Sequence, residues 1–398
     1  MRANPKVLAI VCCGTACAAS LGQPTCDPDL TLLDFHATSN QPVRAIAVVG
    51  DTAFIGATDT FRAIDITDPS DLVQLDSIDT QDGGAGVVHD VVVRNDYAFA
   101  TESFRDLLVF DVSDPGDLSE VANAGLGVGE SSLRIALAGT VACISTNSSH
   151  VRFVDISNPE DPVVDSAVYE PDGNGVLGMV VSGDYLFATT TEGLESVSLS
   201  PLSGTLNSEE IVGDGMGEGI LQGARDVTLQ GDYAYVVSAN GVGVVDVSNP
   251  LAMELVGELS LPEGATDVAV AGGLLFVADT SGQDFDIYVI DVADPESPAL
   301  LDEYAVSGVP EDIALAGSVL LVGNQNSSVQ SQNGLRTYSY SGCCLSDVTD
   351  DGVVNIDDVN TFASAFTANA SEADLDNNGL WNIDDINLFS GHFTAGCY

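Results

Sequence analysis

The sequence predicts an all-β fold, a seven-bladed β-propeller of four-stranded antiparallel blades, followed by a small α-helical module at the C-terminus. Three observations predict it. A phrase of Asp, an aliphatic, a small residue, Asp or Asn, then Pro returns about every 45 residues, the period of a propeller blade. In each copy an alternating apolar stretch, a two-residue turn and a second apolar stretch come about 20 residues earlier, seven times in all. From residue 343 the period changes, and two short acidic loops follow 27 residues apart, each opening a helical pattern.

The N-terminus reads as an export signal over residues 1–22. Arg2 and Lys6 form a short positive region, Val7 to Cys13 an apolar run, and Ala16 to Ser20 a small-residue cleavage region before Gln23. Lipidation at Cys17 is the alternative, although Gly14 stands where a bulky aliphatic is usual. No later segment is long and apolar enough to span a bilayer, so a secreted or cell-surface location is expected.

The blades occupy residues 26–342. The proline phrase runs over Asp65 to Pro69, Asp111 to Pro115, Asp155 to Pro159, Asp246 to Pro250 and Asp291 to Pro295, with a weaker copy at Ser198 to Pro201. The turns fall at Gly50-Asp51, Asn95-Asp96, Gly139-Thr140, Gly183-Asp184, Gly231-Asp232, Gly272-Gly273 and Gly317-Ser318. Gly or Asn at the first turn position supplies the positive φ of a tight hairpin. A short strand after each proline makes four per unit. Two stacked β-sandwiches would not repeat one phrase seven times, whereas a closed ring of blades does. The seventh copy stops after Leu335 to Tyr340 without its fourth strand, and Leu30 to Phe35, behind Cys26-Asp27-Pro28, supplies it. That closure makes Cys26 a neighbour of Cys343 or Cys344. The phrases resemble the LVIVD repeat family of secreted propellers, which implies the fold but little chemistry.

The module at residues 343–398 carries two loops with hard oxygen donors at calcium-loop spacing. The first offers Asp347, Thr349, Asp351, the Val353 carbonyl, Asn355 and Asp358, and the second Asp374, Asp376, Asn378, the Leu380 carbonyl, Asn382 and Asp385. Two calcium ions are expected. Helical patterns follow at Val359, Phe362, Ala363 and Phe366, and at Ile386, Leu388, Phe389 and Phe393. Asp at the twelfth position, and no helix ahead of either loop, resemble the dockerin pattern rather than an ordinary EF-hand. The resemblance implies calcium-dependent folding and docking to a cohesin-like or other cell-surface receptor. Loop positions 10 and 11 are Ile356-Asp357 and Ile383-Asp384, not the Ser/Thr pair of cellulosomal dockerins. Cys344 and Cys397 bracket the module, which leaves Cys343 for Cys26.

The chain has 398 residues, 45% of them apolar, with 60 acidic and 10 basic residues and a formal net charge of −50. Lys6 is the only lysine. No basic patch can neutralise phosphates, so nucleic acid is excluded as a partner and anionic membrane is disfavoured. A lysine Schiff base or P-loop lysine is impossible in the body of the protein. The histidines, His36, His89, His150 and His392, show no metal-ligand spacing, and there is no G-x-S-x-G elbow.

One constellation stands out. Alignment of the seven first strands puts Ala45, Asp90, Arg134, Gly178, Asp226, Asp267 and Asp312 at one position, with His89, Arg225 and Glu311 just before three of them. The loops Asp79 to Gly86, Glu170 to Gly175 and Asp214 to Gly219 are expected at the same mouth of the central channel. The aspartates, with His89, could bind a cation or orient a sugar; the preferred reading is that they cap neighbouring backbone N–H groups and serve only the blade turn. The expected function is that of a secreted, calcium-binding, non-enzymatic binding or scaffold protein for an extracellular glycan or protein ligand. The alternatives are a polysaccharide hydrolase or lyase using the channel carboxylates and a structural surface-layer component.

Overall fold

A computed structural model describes residues 30–80, 86–127, 130–213, 219–262, 264–280, 285–326, 329–340, 356–368 and 386. Strand β1 (Thr31–Ala37) is followed by blade 1, formed by β2 (Val43–Val49), β3 (Thr52–Ala57), β4 (Thr60–Asp65) and β5 (Val73–Asp79). Blade 2 contains β6 (Val88–Arg94), β7 (Tyr97–Glu102), β8 (Asp106–Asp111) and β9 (Ser119–Ala124), and blade 3 β10 (Ser132–Ala138), β11 (Val141–Thr146), β12 (Val151–Asp155) and β13 (Val163–Tyr169). Blade 4 starts with β14 (Met179–Ser182), β15 (Tyr185–Thr190) and β16 (Gly193–Ser198), and two short strands come next, β17 (Thr205–Leu206) and β18 (Glu210–Val212). Blade 5 has β19 (Ala224–Gln230), β20 (Tyr233–Ser238), β21 (Gly241–Asp246) and β22 (Glu254–Ser260), and blade 6 β23 (Ala265–Ala271), β24 (Leu274–Asp279), β25 (Asp286–Asp291) and β26 (Ala299–Ala305). Strands β27 (Val309–Ala316), β28 (Val319–Gln325) and β29 (Gly334–Ser339) belong to blade 7, and helix α1 covers Ile356–Ala368.

The ring closes as the sequence predicts. Strand β1 pairs antiparallel with β29, from Thr31 opposite Ser339 to Ala37 opposite Gly334, and so completes blade 7. Each predicted hairpin turn is present, and its first residue, Gly or Asn, has φ between +54° and +59°. At the end of the third strand in blades 1, 2, 3, 5 and 6 the phrase Asp65 to Pro69 and its copies form an Asx turn, because the side-chain oxygen of the first Asp accepts the N–H two residues on. The distances are 2.9 Å at Thr67, 2.9 Å at Ser113 and 2.8 Å at Ser157. The second Asp repeats the device, Asp68 accepting from Ser70 at 3.0 Å.

Second and third strands read as apolar runs rather than alternations, since both of their faces are covered by neighbouring blades. Seven apolar clusters result, each spanning one blade-to-blade interface, including the one between blades 7 and 1 built from Val43, Ile55, Leu321 and Leu335. The Phe61 and Phe110 rings, 4.3 Å apart and stacked, join blades 1 and 2. Cys143 is free and fully buried in the cluster between blades 3 and 4.

The expectation of four antiparallel strands in every blade needs one correction. Blade 3 has a fifth strand, because β17 adds to β13 in parallel, while β18 serves as the fourth strand of blade 4. The cause lies in the weak copy at Ser198 to Pro201, whose lack of the Asp turn lets the chain cross to the neighbouring blade before it returns. The first-loop helix appears as α1, in which Phe362 is buried and its ring lies 5.7 Å from that of Phe366. The export signal, Cys17, Cys26, Cys343, Cys344 and Cys397, and the calcium-loop residues lie outside the described residues, except that Asp358 falls within α1 with its side chain undescribed. Among the described residues no helix is long and apolar enough to cross a membrane.

Candidate functional site

First strands approach the axis of the ring, and six of the seven carry a register shift near their start, between Val43 and Ala45 in blade 1 and between Val88 and Asp90 in blade 2, for example. Such a bulge adds one residue on the inner strand and re-aims the side chains beside it. Two successive layers of side chains follow from this, each with one residue per blade.

The deeper layer holds Asp90, Arg134, Asp226, Asp267 and Asp312, with Ala45 and Gly178 at the remaining two places. Each aspartate reaches forward to the next blade. Asp90 accepts the Ile135 N–H at 2.9 Å, Asp226 that of Val268 at 3.2 Å, Asp267 that of Ile313 at 2.6 Å and Asp312 that of Ile46 at 2.5 Å. Arg134 reaches forward as well, its Nε donating to the Leu177 carbonyl at 2.9 Å. At Gly178 a Cβ would come within 2.5 Å of the Asp226 Cα, so the next blade can sit this close only against glycine. The aspartates do serve backbone N–H groups, as with Asp90 and its own Val91 N–H at 2.8 Å, but they do not serve the blade turn alone, since each also holds a main-chain N–H of the next blade.

This layer is electrostatically crowded. Burial pushes the Asp90 carboxyl up to about 6, against the pull of Arg134. Burial raises Asp226 and Asp312 well above the usual carboxylate range too, helped by the charge of Asp267 and by a hydrogen bond with it. Two carboxyl groups can share a hydrogen bond only if one keeps its proton. Burial opposes the charge of Arg134, and the four surrounding carboxylates overcome it and move its pKa up. Among the described residues no group of three or more His, Cys, Asp or Glu side chains has the arrangement to hold a metal ion.

The layer above lines a cavity of about 290 Å³ at the channel mouth. Its polar members are Arg44, His89, Arg225, Thr266 and Glu311, the apolar ones Leu133 and Leu177, and Arg134 and Val176 add to the wall. Arg44 bonds Glu311 at 3.0 Å through Nη1 and Gln325 at 3.1 Å through Nη2, while its buried Nε has no hydrogen-bond partner. Arg225 donates to the Ala265 carbonyl at 3.4 Å. His89 Nε2 lies 2.9 Å from Ser103 Oγ, and burial, then Arg44 and Arg134, lower its pKa to about 4, so the ring is neutral at pH 7. Of the residues singled out from the sequence for the channel, His89, Arg134, Arg225 and Glu311 line the cavity, and Asp90, Asp226, Asp267 and Asp312 hold the next blade beneath it. Arg44, Leu133, Leu177 and Thr266 were missed, although stepping the aligned ring position back by one residue names all of them.

Fold and site together define a closed seven-bladed propeller with a ligand-sized, arginine-lined depression on its axis. The LVIVD repeat matches at residues 42–80, 85–124, 130–168, 223–260 and 264–306, half of the chain, and the protein belongs to that repeat family. These matches are blades 1, 2, 3, 5 and 6. The fold is similar to that of a solved computationally designed protein, Ika8, with a TM-score of 0.53, 11% identity and coverage of 78% of this chain and 99% of that one. It is similar also to a chain of a Mitotic Checkpoint Complex structure, with a TM-score of 0.59, 9% identity and coverage of 84% and 99%. At such identities the likeness concerns the fold alone. No curated protein matches the sequence.

Proposed function

We propose that this is a secreted or cell-surface binding and scaffold protein, whose propeller presents a ligand at the channel mouth and whose C-terminal module mediates calcium-dependent attachment or assembly. The observation that carries the reading is the convergence of one residue from every blade on a single cavity, on a ring whose carboxylates are already spent on the next blade. Cavities at the lower end of the usual ligand range bind small groups through a few polar side chains on an apolar wall, as here. The hydrolase or lyase reading is less favoured, because each channel aspartate has one oxygen committed to a backbone N–H of the next blade.

The module fits calcium by its chemistry. Its donor set is all oxygen, and α1 starts at Ile356, the tenth position of the first loop. Docking to a cohesin-like or cell-surface receptor belongs to the same reading. Calorimetric titration of the chelator-stripped full chain with calcium is expected to give two sites, both abolished in the double variant Asp347→Asn, Asp374→Asn. No binding to the parent chain would overturn the calcium assignment, and undiminished binding to the double variant would move it away from these loops.

A further inference from the structure

The chain has nine arginines and a formal charge of −50, yet Arg44, Arg134 and Arg225 all line the one axial cavity. Chance placement of so few cations would not gather three of them at one mouth. Among the described residues Glu311 is the only acidic one in the wall, and its carboxylate is bound to Arg44 Nη1. Arg134 is balanced from below by four aspartates, but no carboxylate among the described residues pairs with Arg225. Arg44 Nε is buried and unpartnered. A guanidinium has five N–H donors, so Nη1 and Nη2, each with one hydrogen on Glu311 or Gln325, keep a second one for a ligand acceptor. The part of the wall from blades 3 and 4, next to Arg225 in the ring, is apolar, with Leu133, Val176 and Leu177, the last 44% exposed.

We propose that the channel mouth binds a small organic carboxylate with an apolar body, its carboxylate taken between Arg44 and Arg225 and its body laid against Leu133, Val176 and Leu177. The planar fork of arginine matches a carboxylate in two parallel hydrogen bonds, which neither lysine nor a neutral donor provides. Neutral His89 leaves the cation count to the arginines. The overall acidity does not prevent this, since exposed charges beyond about 8 Å are screened at physiological salt while the cavity guanidinium groups act at contact distance. This assignment rests on the reading of the propeller as a binding ring, and it names the ligand class.

Calorimetry of the full chain at pH 7 with benzoate, its neutral isostere benzamide, glucuronate and sulfate tests it. Benzoate is expected to bind at least tenfold more tightly than benzamide, glucuronate or sulfate, the ratio a charge-assisted hydrogen bond supplies. Arg225→Gln should weaken benzoate at least tenfold, Arg225→Lys should lie between, and Arg94→Gln, outside the cavity, should match the parent chain. A thermal melt of each variant establishes that it is folded. Equal binding of benzamide and benzoate would overturn the carboxylate class while leaving the binding ring standing. Tighter binding of sulfate or glucuronate would overturn the apolar body. If none of the four binds, this proposal and the channel-mouth reading fall together.

Discussion

Asp90 shows how one residue position serves both assembly and electrostatics. Its Oδ2 fastens blade 2 to the Ile135 N–H of blade 3, and its charge is paid against burial. The consequence for pH is the reverse of ordinary acid denaturation. The native carboxyl titrates at about 6 and the unfolded one at 3.8, so the native state binds more protons over that interval and stability falls as pH rises through it. Asp226 and Asp312 are raised and act in the same direction. Surface aspartates such as Asp65 and Asp111, lowered by their Ser or Thr hydrogen bonds, oppose this only as pH drops below their usual range. The melting temperature is therefore expected to rise between pH 8 and pH 5. Asp90→Asn keeps an oxygen for Ile135 and removes the titration, so on going from pH 4 to pH 8 it should gain about 2 kcal/mol relative to the parent chain. Denaturant unfolding at the two pH values measures it, and an unchanged difference would refute the role of Asp90.

At the scale of the element, hairpins were the most legible feature. Gly139, at φ +55°, has open space where a Cβ would go, so Gly139→Ala tests backbone conformation without any clash. A loss of about 1 kcal/mol is expected for Ala and almost none for Asn, because Asn95 occupies the equivalent turn at φ +54°. Chemical denaturation distinguishes the two, and an equal loss for both would show that conformation is not the cause. The turns, the Asx phrases and the closing strand could be read because each rests on a local rule, a positive φ or a side chain that bonds two residues ahead. The cavity could be read only in part, through His89, Arg225 and Glu311 beside the aligned position. Its seven positions share no residue type, since they are related by the ring and not by their chemistry, and the bulges that aim them leave no local signature in segments such as Val88 to Val91. The parallel excursion of β17 was hidden for a similar reason, as its partner lies in the preceding blade.

At the scale of the whole molecule, every interface has a polar link besides its apolar cluster. Where the inner aspartate is missing, an outer contact stands in its place. Asp76 accepts the Leu118 N–H at 2.8 Å between blades 1 and 2, and Ser196 donates to the Pro250 carbonyl at 2.6 Å between blades 4 and 5. The joint between blades 7 and 1 carries the most, with Asp312 to Ile46, Asp34 to Leu72 at 2.8 Å, Thr337 to the Pro69 carbonyl at 2.7 Å and Arg44 to Glu311. Nearly all of these links end on a main-chain N–H or carbonyl, a group that any blade offers regardless of its sequence. The order of the blades and the place where the chain enters the ring are therefore not encoded in the joints. A circular permutant whose ends are moved to the loop between blades 5 and 6, with the present ends of the propeller joined, should close into the same ring and melt cooperatively. Failure of such a permutant to fold would mean that the starting point matters after all. What passes from blade to blade is a handclasp between a side chain and an anonymous backbone, so the propeller is a circle whose sequence could begin at any of its seven joints.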